Sequence, residues 1–259
     1  MIATRIFWQN FTAMIRSRLL LALSLTASAA LGQNQPLQTT HDWISLSRAA
    51  VPQNGTLFGF DTYQKQMLGT PYEDSTFQAG NLRFYGKLPG TLVDSLMGVP
   101  IRYDLHGQQL EIRAGPADIR AARAERIRYY AVNNRLTSSA DQYVNVREFR
   151  GTADALTGFF EVVVPGRAVL LRYPSAKVQK ANFNAALNVG SRDDRLVVKQ
   201  TWYAAVNSHN AAEVTTTKRG LLTLFADQQA AMETYLNTQK PDLKTRAGLV
   251  AVFAYYNSL

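Results

Sequence analysis

Short apolar or alternating segments, rich in Val, Tyr, Leu and Phe, recur between residues 56 and 216 and are separated by Gly, Pro, Asn and Asp. This pattern is typical of β-strands joined by turns. Spacings of roughly 8–12 residues favour antiparallel pairing over βαβ units. We therefore predict a twisted antiparallel sheet, a sandwich or an open barrel. The predicted strands cover residues 56–61, 81–85, 91–96, 101–105, 109–113, 126–132, 143–149, 158–164, 168–173, 176–180, 195–206 and 212–216.

Two hairpins are predicted within this β body. In FFEVVVPGRAVLLRY, Pro165-Gly166 lies between two β-prone segments and suits a tight turn. In IRYDLHGQQLEIR, the turn falls at His106-Gly107. The segment DIRAARAERIRYY also favours a helical turn, because Ala and Arg are good helix formers.

The pattern changes at Thr217, and residues 217–259 have the apolar periodicity of amphipathic helices. Asp227 is a candidate N-cap for a helix over residues 228–237, Pro241 interrupts the pattern, and Thr245 begins a second strong helix. We predict two to three short helices that pack on the β body, so the fold class is mainly β with C-terminal helices (α+β).

The first 32 residues have the three-part pattern of a secretory signal peptide. Three arginines precede the apolar segment LLLALSLTASAA, and small residues lead up to Gly32. The apolar segment would cover only roughly 18 Å as a helix, which is too short for a bilayer, so a membrane anchor is the weaker alternative. Met14 is an alternative start that would give a more usual signal length. We expect cleavage before Gln33 and export to the periplasm or the cell surface.

Residues 33–55 are polar, turn-prone and without a clear period, which predicts a flexible leader. Removing the signal peptide leaves 227 of the 259 residues and lowers the formal charge from +9 to +6. This charge suits an anionic surface such as an envelope polysaccharide, although it also serves solubility alone. The chain has no cysteine, which excludes disulfides and thiol chemistry. No second long apolar segment follows, so we expect no transmembrane helix in the mature chain.

The motifs of common catalytic and cofactor sites are absent. His41, His106 and His209 lie far apart and match no metal-binding spacing, and the chain has no G-x-S-x-G or glycine-rich phosphate loop. We therefore predict no metal site and no cofactor. A carboxylate pair of the glycoside hydrolase kind stays open, since such pairs meet only in the folded protein. Glu111, Glu148 and Glu161 lie on predicted strands, where we expect them on the surface.

The densest basic and aromatic cluster is the first candidate binding surface. Arginine and tyrosine together suit an anionic glycan or a single-stranded nucleic acid. An exported protein rarely meets nucleic acid, so we expect no nucleic-acid partner. The alternative is the solvated face of an edge strand. The cluster consists of Arg120, Arg123, Arg126, Arg128, Tyr129 and Tyr130.

A polar loop between two predicted strands is the second candidate. Its spacing fails the EF-hand pattern, and the surrounding charge is basic, which disfavours a hard cation. Asn and Asp favour turns because their side chains bond the nearby backbone. We predict a structural role for this polar loop, defined by Asn182, Asn184, Asn188, Asp193 and Asp194.

Several segments together resemble a group of exported proteins from Bacteroidota. They are GTPY, VPIRYDLHGQQLEIR, GFFEVVVPGRAVLLRY, ALNVGSRDDRLVVKQTWY and the closing GLLTLFADQQAAMETYL…FAYYNSL. The resemblance extends from Gly69 to Leu259 and implies a signal peptide, a β-rich body and a short helical C-terminus. The group is functionally uncharacterised, so the resemblance implies no active-site residues.

These observations predict a non-catalytic protein of the cell envelope. Its β body would bind a partner protein or an envelope polysaccharide. One alternative is a glycan or peptide hydrolase with carboxylates assembled across strands. Another is a structural accessory of an envelope complex.

Overall fold

The computed structural model describes residues 58–59, 68–133, 139–151, 155–184, 187–191 and 193–259. The predicted signal peptide (1–32) and leader (33–55) lie outside the described residues. The strands are β1 Phe58–Gly59, β2 Gln78–Phe84, β3 Ser95–Asp104, β4 Gln109–Arg113, β5 Ile119–Arg123, β6 Ile127–Asn133, β7 Ala140–Asn145, β8 Arg150–Gly151, β9 Phe159–Val164, β10 Ala168–Gln179, β11 Arg195–Val206 and β12 Asn210–Glu213. The helices are α1 Lys218–Leu224, α2 Gln229–Gln239 and α3 Arg246–Ser258.

All strands join one open sheet in the order β1-β5-β4-β3-β2-β6-β7-β9-β10-β11-β12-β8. Each neighbouring pair is antiparallel except β12 and β8, which are parallel. The predicted mainly β fold with short C-terminal helices is confirmed. None of the helices in the described part of the chain is long and apolar enough to cross a membrane.

Both predicted hairpins are confirmed. Gly166, in the β9–β10 turn, has φ +148°, a backbone angle that glycine adopts without strain. In the β3–β4 turn the Asp104 carboxylate accepts hydrogen bonds from the backbone N–H groups of His106 (2.9 Å) and Gly107 (2.8 Å). The buried Asp104 carboxylate thus satisfies two main-chain donors of this tight turn.

Strand β10 is longer than predicted because it continues through Pro174. Its pairing with β9 ends at Arg172, so Pro174 lies where β10 has only β11 beside it. A missing N–H group costs no ladder hydrogen bond on such an edge. The same reasoning applies to Pro100 in β3, whose pairing with β4 begins one residue later at Ile101.

One row of directly paired residues defines the inner face of the sheet. Residues that face each other across neighbouring strands have side chains on the same side. The row crosses β2, β6, β7, β9, β10 and β11 and consists of Leu82, Tyr130, Tyr143, Glu161, Arg172 and Trp202. Its centre therefore carries two charged residues between aromatic and apolar ones.

Two hydrophobic cores lie on either side of that centre. The first core joins strands β2 to β6 through buried side chains such as Leu82, Ile101 and Leu110. The second core packs the helices on β9 to β11, with Leu170 and Phe253 fully buried. Burial of one apolar face stabilises helices too short to persist alone.

Helices α1 and α3 begin at hydroxyl caps, whereas α2 follows Gln228, which makes no capping hydrogen bond. The Thr217 and Thr245 side chains accept hydrogen bonds from Gly220 N and Gly248 N, as N-caps of α1 and α3. The prediction of Asp227 as an N-cap is wrong, because it lies in a 3-10 turn before α2 and its carboxylate accepts the Tyr256 hydroxyl (2.8 Å). This bond ties the turn to α3.

Candidate functional site

A strap, residues 68–77, joins distant strands of the sheet. Leu68 forms main-chain hydrogen bonds with Asp194 and Leu196 at the start of β11 (3.1 and 2.8 Å). Tyr72 bridges to Asp104 at the end of β3. In a flat sheet, β3 and β11 would lie roughly 29 Å apart, whereas the strap spans at most roughly 14 Å from Leu68 to Tyr72. The sheet must therefore curl around its inner face.

Gly69 allows the strap to reach β11. Its φ is +95°, and a Cβ atom there would lie 2.8 Å from the Leu196 carbonyl oxygen. No L-residue with a side chain fits this contact without a backbone shift.

A buried ion cluster lies at the centre of the inner face. Arg172 on β10 donates through Nε to Glu161, its direct cross-strand partner on β9. Its Nη1 and Nη2 atoms donate to the two carboxylate oxygens of Glu73 on the strap, the second at 3.1 Å. Arg246 of α3 donates to the other Glu161 oxygen at 2.5 Å. Two cations and two carboxylates thus meet where β9, β10, the strap and α3 converge.

The two members of the cluster that lie on the sheet are buried. Arg172 is 7% exposed and Glu161 is 2% exposed. Burial alone would raise the pKa of the Glu161 carboxyl, but the hydrogen bonds and positive charges of Arg246 and Arg172 outweigh it and hold that pKa below its usual value. Glu161 is therefore ionised at neutral pH.

A stacked pair of tyrosines lies beside the cluster. The rings of Tyr130 and Tyr143 are 4.5 Å apart and nearly parallel, and Phe159 meets Tyr130 edge-on at 4.9 Å. Burial, then the negative charge of Glu161, raises the pKa of Tyr143, and burial also raises that of Tyr130. Both phenols stay neutral, so they offer an aromatic and hydrogen-bonding wall.

An inner cleft of about 470 Å³ lies between the strap and this wall. This volume is within the usual range for small-ligand sites. Apolar side chains from β3 and β4 form its floor, and acidic residues lie at its rim. The residues that define the inner cleft are Glu73, Asp74, Tyr103, Asp141, Tyr143 and Arg172.

A second ion pair fixes the strap against the sheet. Glu111 is 1% exposed; Arg102 donates to it through Nε (3.0 Å), and the Tyr72 hydroxyl donates to it at 2.8 Å. The Arg102 guanidinium packs on the Tyr72 ring at 3.9 Å from its centre. The expectation that Glu111 and Glu161 lie on the surface is wrong, because each has an arginine partner that offsets the cost of burial.

The structure does not gather the predicted basic and aromatic cluster into one surface. Arg120 pairs with Asp118 (2.7 Å) and Arg128 with Glu148 (3.3 Å). Tyr129 and Tyr130 point to opposite faces, since side chains alternate along a strand. Tyr130, 3% exposed, joins the inner cleft. The side chains of Arg123 and Arg126 lie at the surface, and binding by this cluster stays a prediction.

The polar loop is held by its own hydrogen bonds. Asp194 accepts from Ala181 N (2.8 Å) and Lys180 Nζ (2.6 Å), and Asn182 Oδ1 accepts from Ser191 N (2.9 Å).

The other members of the polar loop also serve its turns. The Asn184 side chain accepts from Leu187 N, Asn188 has φ +50°, and the main chain of Asp193 bonds the Ser191 hydroxyl. Within the described ranges, no group of three or more His, Cys, Asp or Glu residues could hold a metal ion.

The residues of the ion cluster carried a signal that the sequence prediction missed. Arg172 interrupts the apolar run AVLLRY, and Glu161 interrupts FFEVVV, on the two arms of one predicted hairpin. Opposite charges inside two paired apolar segments indicate a buried ion pair. Glu73 gave no such signal, because it lies in an irregular polar segment.

Comparison with known proteins adds no assignment. No protein-family model matches the chain, and no curated protein or solved structure matches it. The resemblance to exported Bacteroidota proteins stays a prediction.

Proposed function

We propose that the chain is an exported, non-catalytic binding protein of the cell envelope that takes its ligand in the inner cleft. The observation that carries the proposal is that the buried Arg172 guanidinium and the stacked tyrosines line the same cleft of about 470 Å³. Aromatic rings beside a few fixed polar groups are the usual composition of a ligand site. Export rests on the signal-peptide pattern, and an envelope glycan or a partner segment is the ligand class that follows from it.

The contacts of the carboxylates favour binding over hydrolysis. A glycosidase needs one carboxyl whose pKa is raised so that it donates a proton. Glu161 has a lowered pKa, and both of its oxygens accept from arginines. Glu111 is likewise occupied by Arg102 and Tyr72. These buried carboxylates are therefore engaged in holding the fold and the strap.

The test is a titration of the mature protein with defined envelope glycans, namely peptidoglycan fragments and the polysaccharide of lipopolysaccharide. Tyr143→Ala removes the half-buried ring at the cleft wall and should weaken binding about tenfold, the value of an aromatic contact. Thr76→Trp adds a large side chain from the exposed strap and should block the cleft without disturbing either core.

Tyr235→Ala is the matched control, because Tyr235 stacks on Tyr255 among the helices, away from the cleft. It should bind like the wild type. Equal affinity in all four proteins would overturn the cleft as the site. Release of new reducing ends during the titration would show that the protein hydrolyses glycans, and hydrolysis would then replace binding as the proposed function. Sequencing the N-terminus of the exported protein tests the export step, and a start at Gln33 is expected.

A further inference from the structure

The Arg172 guanidinium has two carboxylate partners of different kinds. Glu161 stands opposite it on a paired strand, 3% of its side chain is exposed, and it has Arg246 as a second partner. Glu73 comes from the strap, its side chain is 34% exposed, and Arg172 is its ion-pair partner among the described residues. Glu161 is therefore a fixed part of the sheet, whereas Glu73 can exchange.

The Nη1 and Nη2 edge of Arg172 faces the strap and holds both oxygens of Glu73. Two parallel N–H donors match the two oxygens of one carboxylate, which makes this edge selective for planar, two-oxygen anions. Without Glu73, Glu161 would be shared between Arg172 and Arg246 with no second carboxylate in the cluster, and an uncompensated buried charge is strongly destabilising. Any ligand that displaces Glu73 must therefore supply its own anion.

The surroundings restrict the rest of that ligand. The tyrosine pair and the apolar floor beside Arg172 suit a neutral body, while Asp74 and Asp141 at the rim repel further negative charge. The inner cleft thus favours one carboxylate over a polyanion, in a protein whose overall charge is basic.

We propose that the inner cleft recognises a ligand with a single carboxylate, which replaces Glu73 on Arg172 and releases the strap at that point. Glu73 is then an internal substitute for the ligand carboxylate and occupies the Arg172 guanidinium when no ligand is bound. This inference rests on the proposed function in placing the ligand in the inner cleft, and it adds the chemical class of the ligand.

The experiment replaces Glu73 and supplies a carboxylate from solution. Glu73→Ala should melt several degrees below the wild type in sodium chloride. Sodium acetate at equal ionic strength should raise its melting temperature saturably, by about 3–6 °C at a tenfold excess over Kd. The wild type should have the same melting temperature in the two salts, because Glu73 already occupies the Arg172 guanidinium.

Asp94→Ala is the control, because Asp94 pairs with Arg83 at the surface, where the two side chains are 40% and 42% exposed. It should melt alike in acetate and chloride. If Glu73→Ala also melts alike in both salts, the ion pair is structural only and the proposal is overturned. Should this variant fail to fold in chloride, refolding in acetate is measured by circular dichroism; recovery supports the proposal and its absence refutes it.

Glucuronate and glucose separate this inference from the proposed function. Glucuronate should stabilise Glu73→Ala at least as well as acetate, and glucose should not. Rescue by acetate without binding of any envelope glycan would sustain the carboxylate site and remove the glycan-binding function. Glycan binding that depends on Tyr143, without acetate rescue, would sustain the glycan-binding function and overturn the carboxylate site.

Discussion

Replacing Phe253 with alanine measures how far the C-terminal helices stabilise the β body. Phe253 is fully buried in the second core, and its ring meets Phe225 edge-on at 5.1 Å. Truncating a buried phenylalanine costs about 3–5 kcal/mol, through lost transfer energy and the cavity left behind. Typical net stability is about 5–15 kcal/mol, so this single change removes a large share. Urea unfolding followed by circular dichroism gives the difference in unfolding free energy.

Leu259→Ala is the control at the C-cap of the same helix, since Leu259 is 47% exposed and its loss should change stability by less than about 0.5 kcal/mol. Ending the chain at Thr217 extends the test, because it exposes the apolar face of β9 to β11. The truncated protein should be insoluble or partly unfolded. If it melts cooperatively at an unchanged temperature, the helices are a separate module and the reasoning fails.

Three further outcomes are expected. Asn257→Ala should cost about 1–3 kcal/mol in urea unfolding, since the side chain accepts from Ala168 N (2.8 Å) and donates to Ala168 O (2.9 Å); Ser258→Ala, next to it, should be nearly neutral. Calcium added to chelator-treated protein should leave the melting temperature unchanged, because the polar loop bonds itself; a shift of several degrees would reveal a cation site. Glu161 has a lowered pKa in the folded protein, so its stabilisation is present above the ordinary carboxyl pKa and is lost as pH falls through the lowered value. Glu161→Gln should therefore flatten the loss of stability below about pH 4, as measured by urea unfolding at a series of pH values.

Local patterns predicted the strands where one face is apolar and a turn residue follows. The β9–β10 hairpin and strand β11 lie where alternation and Pro165-Gly166 place them. The prediction divided β10 into two strands around Pro174, whereas a proline breaks a strand only when a neighbouring strand needs its N–H group. That condition depends on where β9 ends, which is a property of the assembled sheet.

The inner cleft depends on strand order, which local patterns do not encode. Tyr130 faces Tyr143 because β6 pairs with β7, and Glu161 faces Tyr143 because β7 pairs with β9. Glu73 reaches Arg172 across 99 positions of sequence. The Arg120-to-Tyr130 cluster looked like a surface because its residues are adjacent in sequence, but strand alternation divides them between the two faces of the sheet.

Stability alone does not account for the ion cluster. Buried ion pairs are often no better than well-packed apolar residues of similar volume, since the cost of removing charges from water offsets their attraction. Apolar side chains at Glu161 and Arg172 would join the two cores into one, because both positions lie in the row between Leu82 and Trp202. The chain instead separates the cores with charge at the point where the strap crosses and the inner cleft opens. The proposed binding role of the Arg172 guanidinium would account for that placement, because a ligand carboxylate would offset the cost of burying Arg172, as Glu73 does in the structure.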